Sequence, residues 1–316
     1  MKKDMLSHIQ GYLSYRRALG YKLEMDERML RSFYRFASKR GYTGPLKRSW
    51  VEDFAAAPAD VNPAYHAIRL RILHDFAKHW AVYDPRVEVP FRRIEQMGYR
   101  RAAPRIYSDE EIQMLMAAAR CSHVDQGIPG ETHATIIGLM ACSGIRTGEA
   151  AALRKSDVDW DQSLLRIRQS KGRPLRLVPL HHTAMAALES FADLRDQHFP
   201  RPASDHFFLN KYGKGMTAKA ISGTFYRIRF RSGISMPLRD RAPRPYDLRH
   251  TFACNCLLRW LREGEDLSRS MHTLATYLGH ENLDETYWYL SGIPSLMELV
   301  GDRFADYAAR VFERGI

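Results

Sequence analysis

Apolar residues recur at i, i+3, i+4 and i+7 along four stretches at the start of the chain: Met5 to Ala18, Met25 to Ser38, Trp50 to Ala57 and Ala64 to Trp80. That spacing puts one greasy stripe on each of a series of helices, and Pro45, Pro58 and Pro63 mark the breaks between them. A bundle of four or five helices is expected over residues 1–97. The pattern stops at Gly98 to Ile106, GYRRAAPRI, which reads as a basic linker, residues 98–106. At SDEE a new helix opens with a capping box: Ser108 caps and Glu111 reaches back. The boundary therefore falls near Ile106, and residues 107–316 form a second domain.

That domain begins helically. In GLMACSGIRTGEAAALRKSDVDW, Gly138 to Trp160, a buried helix is expected to end at Gly144, with Arg146 in the turn and Thr147 capping the next helix. An arginine just before a helix start faces the same space as the free amides, a place suited to an anion; pairing with Glu149 is the plainer reading. LLRIRQ and LRLVPL, Leu164 to Gln169 and Leu175 to Leu180, read as strands joined by SKGRP, with Lys171 at the hairpin tip. HFFLN, His206 to Asn210, is expected as a third short strand. The fold class is therefore mainly α with a small antiparallel β-sheet.

The helix opening RPYDLRHTFACNCLLRWL, Arg244 to Leu261, starts at Pro245 and sets Tyr246 and Arg249 on one face, three residues apart. After another helix, LATYLGHENLDETYWYL places His280 in a turn and Tyr287, Trp288 and Tyr289 on a short helix, with Tyr277 in the core. The tail from Ser291 carries an amphipathic helix opened by Pro294, with Leu296, Leu299, Val300, Phe304, Tyr307 and Val311 on one side.

Charge changes the picture. The 316 residues hold 48 Lys plus Arg against 36 Asp plus Glu, and the part through Ile106 holds 21 against 11. The first third thus carries +10 of the total +12, spread along helices rather than massed at one end, which favours nucleic acid over a membrane as the polyanion partner. Arg16, Arg17, Arg69 and Arg71 on the helices, Arg100, Arg101 and Arg105 in the linker, and Arg173 in the hairpin are the DNA-binding candidates. A guanidinium fork stays charged and makes two parallel bonds to a phosphate. No run of about 18 apolar residues is present, so no membrane span is expected. The N-terminus lacks a secretory pattern, which points to the cytoplasm. Cys121, Cys142, Cys254 and Cys256 lack metal or disulfide spacing and are expected to be reduced core thiols.

The series SGIRTGEA, Lys171 in a hairpin turn, YDLRH, YLGH, and a tyrosine nine positions after that histidine resembles the tyrosine site-specific recombinase (phage integrase) family, in its Xer-like two-domain form. The resemblance covers Ser108 to Tyr289 by motif and, more weakly, the N-terminal bundle as a core-binding domain. It implies a C-shaped clamp on DNA and cutting and rejoining through a 3′-phosphotyrosine link, without metal, ATP or other cofactor. By resemblance Tyr289 is the nucleophile, Arg146 and Arg249 clamp the phosphate, Glu149 orients Arg146, Lys171 is the general acid and His280 bonds the phosphate. The partners implied are double-stranded recombination sites and a homo- or hetero-tetramer joined through the C-terminal helix, in a bacterial cell and on its nucleoid when bound. An integrase or transposase of a mobile element is the leading reading, with a catalytically weak DNA-binding accessory subunit as the alternative. One position departs from the pattern: Tyr246 stands where the family has a histidine that assists deprotonation of the nucleophile, and a phenol is a poor base at neutral pH. His250 points about 100° away from Arg249 around the helix and is not expected to substitute.

Overall fold

The computed structural model describes residues 4–57, 63–91, 104–121, 128–168, 175–234, 243–280 and 282–292, together with residues 297, 298, 301 and 305. The chain divides into two compact units, Met1–Arg101 and Ala102–Ile316. Lys171, Arg173, Arg100, Arg101 and the apolar residues expected along the C-terminal helix, Leu296, Leu299, Val300, Phe304, Tyr307 and Val311, lie outside the described residues.

The first unit contains α1 (Met5–Ala18), α2 (Glu24–Lys39), α3 (Arg48–Ala56) and α4 (Pro63–Ala81). Asp4 starts α1 by accepting from the Ser7 amide at 2.9 Å, and Pro63 is the first residue of α4, where its missing N–H costs nothing. The four apolar stripes close on one another: Ile9 and Leu13, Leu30 and Phe33, Val51 and Phe54, and Ile72, Phe76 and Trp80 share one core. Burying each such side chain contributes about 1.5–3 kcal/mol. Arg69, expected on the surface, is only 5% exposed, because its guanidinium lies 3.7 Å from the centre of the Phe54 ring. Of the other basic candidates here, Arg16 lies over Tyr21, Arg17 is paired with Glu27, and Arg71 bridges Asp75 and Asp26.

The second unit opens with α5 (Asp109–Cys121), started by the expected reciprocal bonds between Ser108 and Glu111, both 3.2 Å. Glu111 also takes Arg105, and this linker arginine is thereby tied to its own domain. Then come α6 (Pro129–Ser143), α7 (Thr147–Ala152), one 3-10 turn, β1 (Val158–Asp159), β2 (Leu164–Ile167), β3 (Arg176–Pro179), α8 (His182–His198), α9 (Ala218–Arg231), α10 (Pro245–Arg262), α11 (Leu267–Leu278) and α12 (Asp284–Gly292). Buried α6 is the spine, packed by α5, α8 and α10. A second apolar cluster joins α10, α11 and α12, and Tyr289 is part of it.

The sheet is antiparallel in the order β1-β2-β3, with Leu165 opposite both Val158 and Val178. The expected third strand at His206–Asn210 is absent. Phe207, Phe208 and Leu209 are buried as the apolar pattern required, but the segment makes only isolated bridges, Arg154 to His206 and Leu209 to Gly215. Burial there is met by a loop whose amides bond across to Leu153 and Lys214, and the edge position goes to Val158–Asp159 instead. Two thiols also differ from expectation: Cys254 is buried, yet Cys121 and Cys142 are exposed.

Gly144 ends α6 in the left-handed region, φ 62°. A Cβ there would lie 2.5 Å from the Phe252 ring and 3.0 Å from a Leu278 methyl. Gly144→Ala is expected to lower stability by about 1–3 kcal/mol from backbone strain alone, read as a reduced urea midpoint with unchanged m-value.

Candidate active site

Two helix ends meet over the N-terminal part of α10. Gly144 turns the chain out of α6 and delivers Arg146 in extended conformation, as the residue before α7. The cap of α7 is thus Arg146 itself rather than the expected Thr147: Glu149 reaches back to the Arg146 amide at 2.8 Å. On the other side, α11 ends at Gly279, also left-handed, φ 65°, and the His280 amide bonds to the Ala275 carbonyl at 3.0 Å. This motif leaves the Leu278 and Gly279 carbonyls pointing at the space between the two ends.

Three arginines fill that space. Arg249, 0% exposed, donates from Nη2 to the Leu278 carbonyl and from Nη1 to the Gly144 carbonyl, both at 2.7 Å. Arg146 donates to the Gly279 carbonyl at 3.0 Å and to Glu149 at 2.9 Å. Arg176, from β3, donates to the Leu278 carbonyl and to Glu149. Sequence reasoning missed Arg176. Its signal was present in the strand period: Arg176 shares a face with Val178, so in β3 it points inward while Leu177 points out.

Three guanidiniums around one carboxylate leave a formal excess of two positive charges. Burial pulls the Arg249 pKa down to about 10, and neighbouring Arg146 adds to the fall, with Tyr246, Glu149 and Tyr289 opposing it. Burial likewise lowers that of Arg176, against the pull of Glu149. The Arg249 Nε is buried without a hydrogen-bond partner among the described residues, and a buried donor left unmet is costly. An anion held against the half-buried Arg146 would relieve the excess charge.

Beside this cluster lies an aromatic group. His280 follows the turn with its side chain buried, its Nδ1 2.6 Å from the Thr286 hydroxyl. Tyr289 is 1% exposed, and its hydroxyl sits 2.9 Å from Nδ1 of His250. The expected step of about 100° around α10 turns His250 from the carbonyls that hold Arg249 toward α12, where Tyr289 stands. Tyr246 packs edge-on to His250, ring centres 4.9 Å apart, and Trp288 lies 5.5 Å away. Tyr287, two residues before Tyr289, is 42% exposed. Of the expected site residues, Arg146, Glu149, Arg249, His280, Tyr246 and Tyr289 are thus gathered in one region. Among the described residues no group of three or more His, Cys, Asp or Glu side chains could hold a metal ion, and no helix is long and apolar enough to cross a membrane.

A mainly helical domain with a three-stranded sheet and clustered arginines beside a sheltered tyrosine defines the tyrosine recombinase class. The chain belongs to the phage integrase family, whose family model matches residues 105–292. It is similar to the integrase/recombinase relatives y4rB and y4rE of Sinorhizobium fredii, 35% and 34% identical over 297 residues, covering 92% and 93% of this chain and 93% and 94% of those proteins. In fold it matches a Tn1549 transposon integrase in complex with transposon right end DNA, TM-score 0.71 at 16% identity, over 96% of this chain and 100% of that one. A lambda integrase dimer bound to a core site matches with TM-score 0.63 at 16% identity, over 91% of this chain and 77% of that one.

Glu149 supports a stability prediction. Burial alone would raise its pKa, but Arg176 and Arg146 outweigh this and hold it below the ordinary 4.5. Its contribution is therefore full above that value and is lost as pH falls through the lowered folded value. Glu149→Gln is expected to cost about 3 kcal/mol at neutral pH, since two arginines lose their counter-charge. Urea unfolding of both proteins from about pH 6 to about pH 3 should show the gap shrinking at the acid end.

Proposed function

We propose that the protein cuts and rejoins double-stranded DNA at specific sites through a 3′-phosphotyrosine intermediate, with Tyr289 as nucleophile. The observation that carries this reading is the convergence of Arg146, Arg249, His280 and Tyr289, from four separate segments, around a buried excess of positive charge. A phosphodiester brings the anion that such a place lacks, and the extra charge of its transition state strengthens every bond to fixed donors. Arg146 and Arg249 grip the non-bridging oxygens, Glu149 holds Arg146 in place, and His280 donates to the phosphate once Thr286 has fixed its ring. Tyr289 attacks phosphorus, the 5′-oxygen leaves with a proton from Lys171, and the partner strand's 5′-hydroxyl later reverses the step. The covalent link keeps the phosphoester energy, so rejoining needs no ATP.

The curated relatives named as integrase/recombinase proteins support a role with mobile DNA, as integrase or transposase. DNA contacts are assigned to Arg16, Arg17 and Arg71 on the helices of the bundle, to Arg100, Arg101 and Arg105 of the linker, and to Arg173 of the hairpin. Assembly as a homo- or hetero-tetramer through the C-terminal segment, and a cytoplasmic location on the nucleoid, complete the reading. An accessory subunit that binds without cutting is favoured by one feature, Tyr246 in place of a histidine.

A nicked suicide duplex of the element's end separates the two. Wild type and Tyr287→Phe should give a covalent protein–DNA adduct on a denaturing gel, and Tyr289→Phe none. Arg249→Ala should slow adduct formation by about 100- to 1000-fold. Tight binding of the duplex with no adduct from wild type would favour the accessory subunit.

A further inference from the structure

We propose that His250 is the base of the cleavage step, receiving the Tyr289 proton at Nδ1. This rests on the reading of Tyr289 as nucleophile. The Tyr289 hydroxyl and His250 Nδ1 stand 2.9 Å apart, within direct proton-transfer distance, and the two side chains are 1% and 2% exposed. The imidazole is braced on two sides, by the Tyr246 ring edge-on at 4.9 Å and by Trp288 at 5.5 Å, and these contacts keep Nδ1 on the phenol.

Chemistry separates the two candidates on α10. An imidazole, with an ordinary pKa of about 6.5, accepts a proton at neutral pH, whereas a phenol, ordinarily about 10, is a poor base there. Position 246 can therefore brace or hydrogen-bond but cannot take the proton. The charged neighbours act in the same direction: Tyr289 lies close enough to Arg249 to act on its ionisation, and a cation beside a forming phenolate stabilises it.

The step balances. The phenol O–H bond breaks and its proton passes to Nδ1, which requires the neutral tautomer with hydrogen on Nε2. The phenolate oxygen forms the bond to phosphorus, and the P–O5′ bond breaks, that oxygen leaving with the proton of the general acid. On rejoining, His250 returns the proton to Tyr289 as the 5′-hydroxyl displaces it.

The test uses the full chain and the nicked suicide duplex. His250→Asn keeps an amide near the phenol but cannot carry its proton, so the adduct should form about 100-fold more slowly, with retention of the duplex in a gel shift unchanged. Replacing Tyr289 by a ring-fluorinated tyrosine, a stronger acid, should restore most of that rate in the His250→Asn protein and change the wild-type rate little. Wild-type speed in His250→Asn would overturn the proposal, as would a slow variant that fluorination does not rescue. A large gain from fluorination in the otherwise wild-type chain would overturn it too, without disturbing position 250. Failure of the underlying reading looks different: wild type would give no adduct, or an adduct would survive Tyr289→Phe.

Discussion

The carbonyl of Leu278 is the point on which the second unit is organised. Arg249 and Arg176 bond it directly and Arg146 takes the next carbonyl, so a single turn at the end of α11 gathers side chains from α10, from β3 and from the segment between α6 and α7. Guanidiniums are expensive to bury, and each must find fixed acceptors. Backbone carbonyls at helix C-termini supply them, because the last turn of a helix has acceptors to spare and a partial negative charge. Gly144 and Gly279 make this possible, each turning its chain sharply enough to present a carbonyl edge.

On the proposed reading, the arrangement divides the labour of phosphoryl transfer between two neighbouring groups. Charge is stored on the carbonyl side, where carboxylate and carbonyls only partly balance the arginines. The proton transfer proposed here falls on the aromatic side, where His250, Tyr246 and Trp288 pack around the buried Tyr289 phenol. α10 joins the two halves, with Arg249 facing one and His250 the other. Adjacent residues on one helix thereby reach different partners without competing for the same space.

Most of this was legible in the sequence where the physics is periodic or local. The four stripes of the bundle, the Ser108–Glu111 box and the Pro245 start of α10 are all where residue spacing put them. The family resemblance carried by SGIRTGEA, YDLRH and YLGH led to Arg146, Arg249, His280 and Tyr289. What escaped depends on long-range partners. Arg176 looks like an ordinary charge in a strand until Val178 is known to point inward. The direction of His250 acquires meaning only once α12 is in place. Arg69 gave no hint that Phe54 would cover it, and HFFLN is apolar enough for a strand although its backbone finds partners on separate segments.

The central acceptor also sets how the protein can vary. A carbonyl belongs to the backbone, so any residue placed at position 278 would still offer one, and no point substitution can remove it. The vulnerable positions are those that aim it, where a single added methyl group changes the geometry without touching a charge. Such a site can therefore be lost at its glycines alone, in a chain whose arginines, histidines and tyrosine still read as intact.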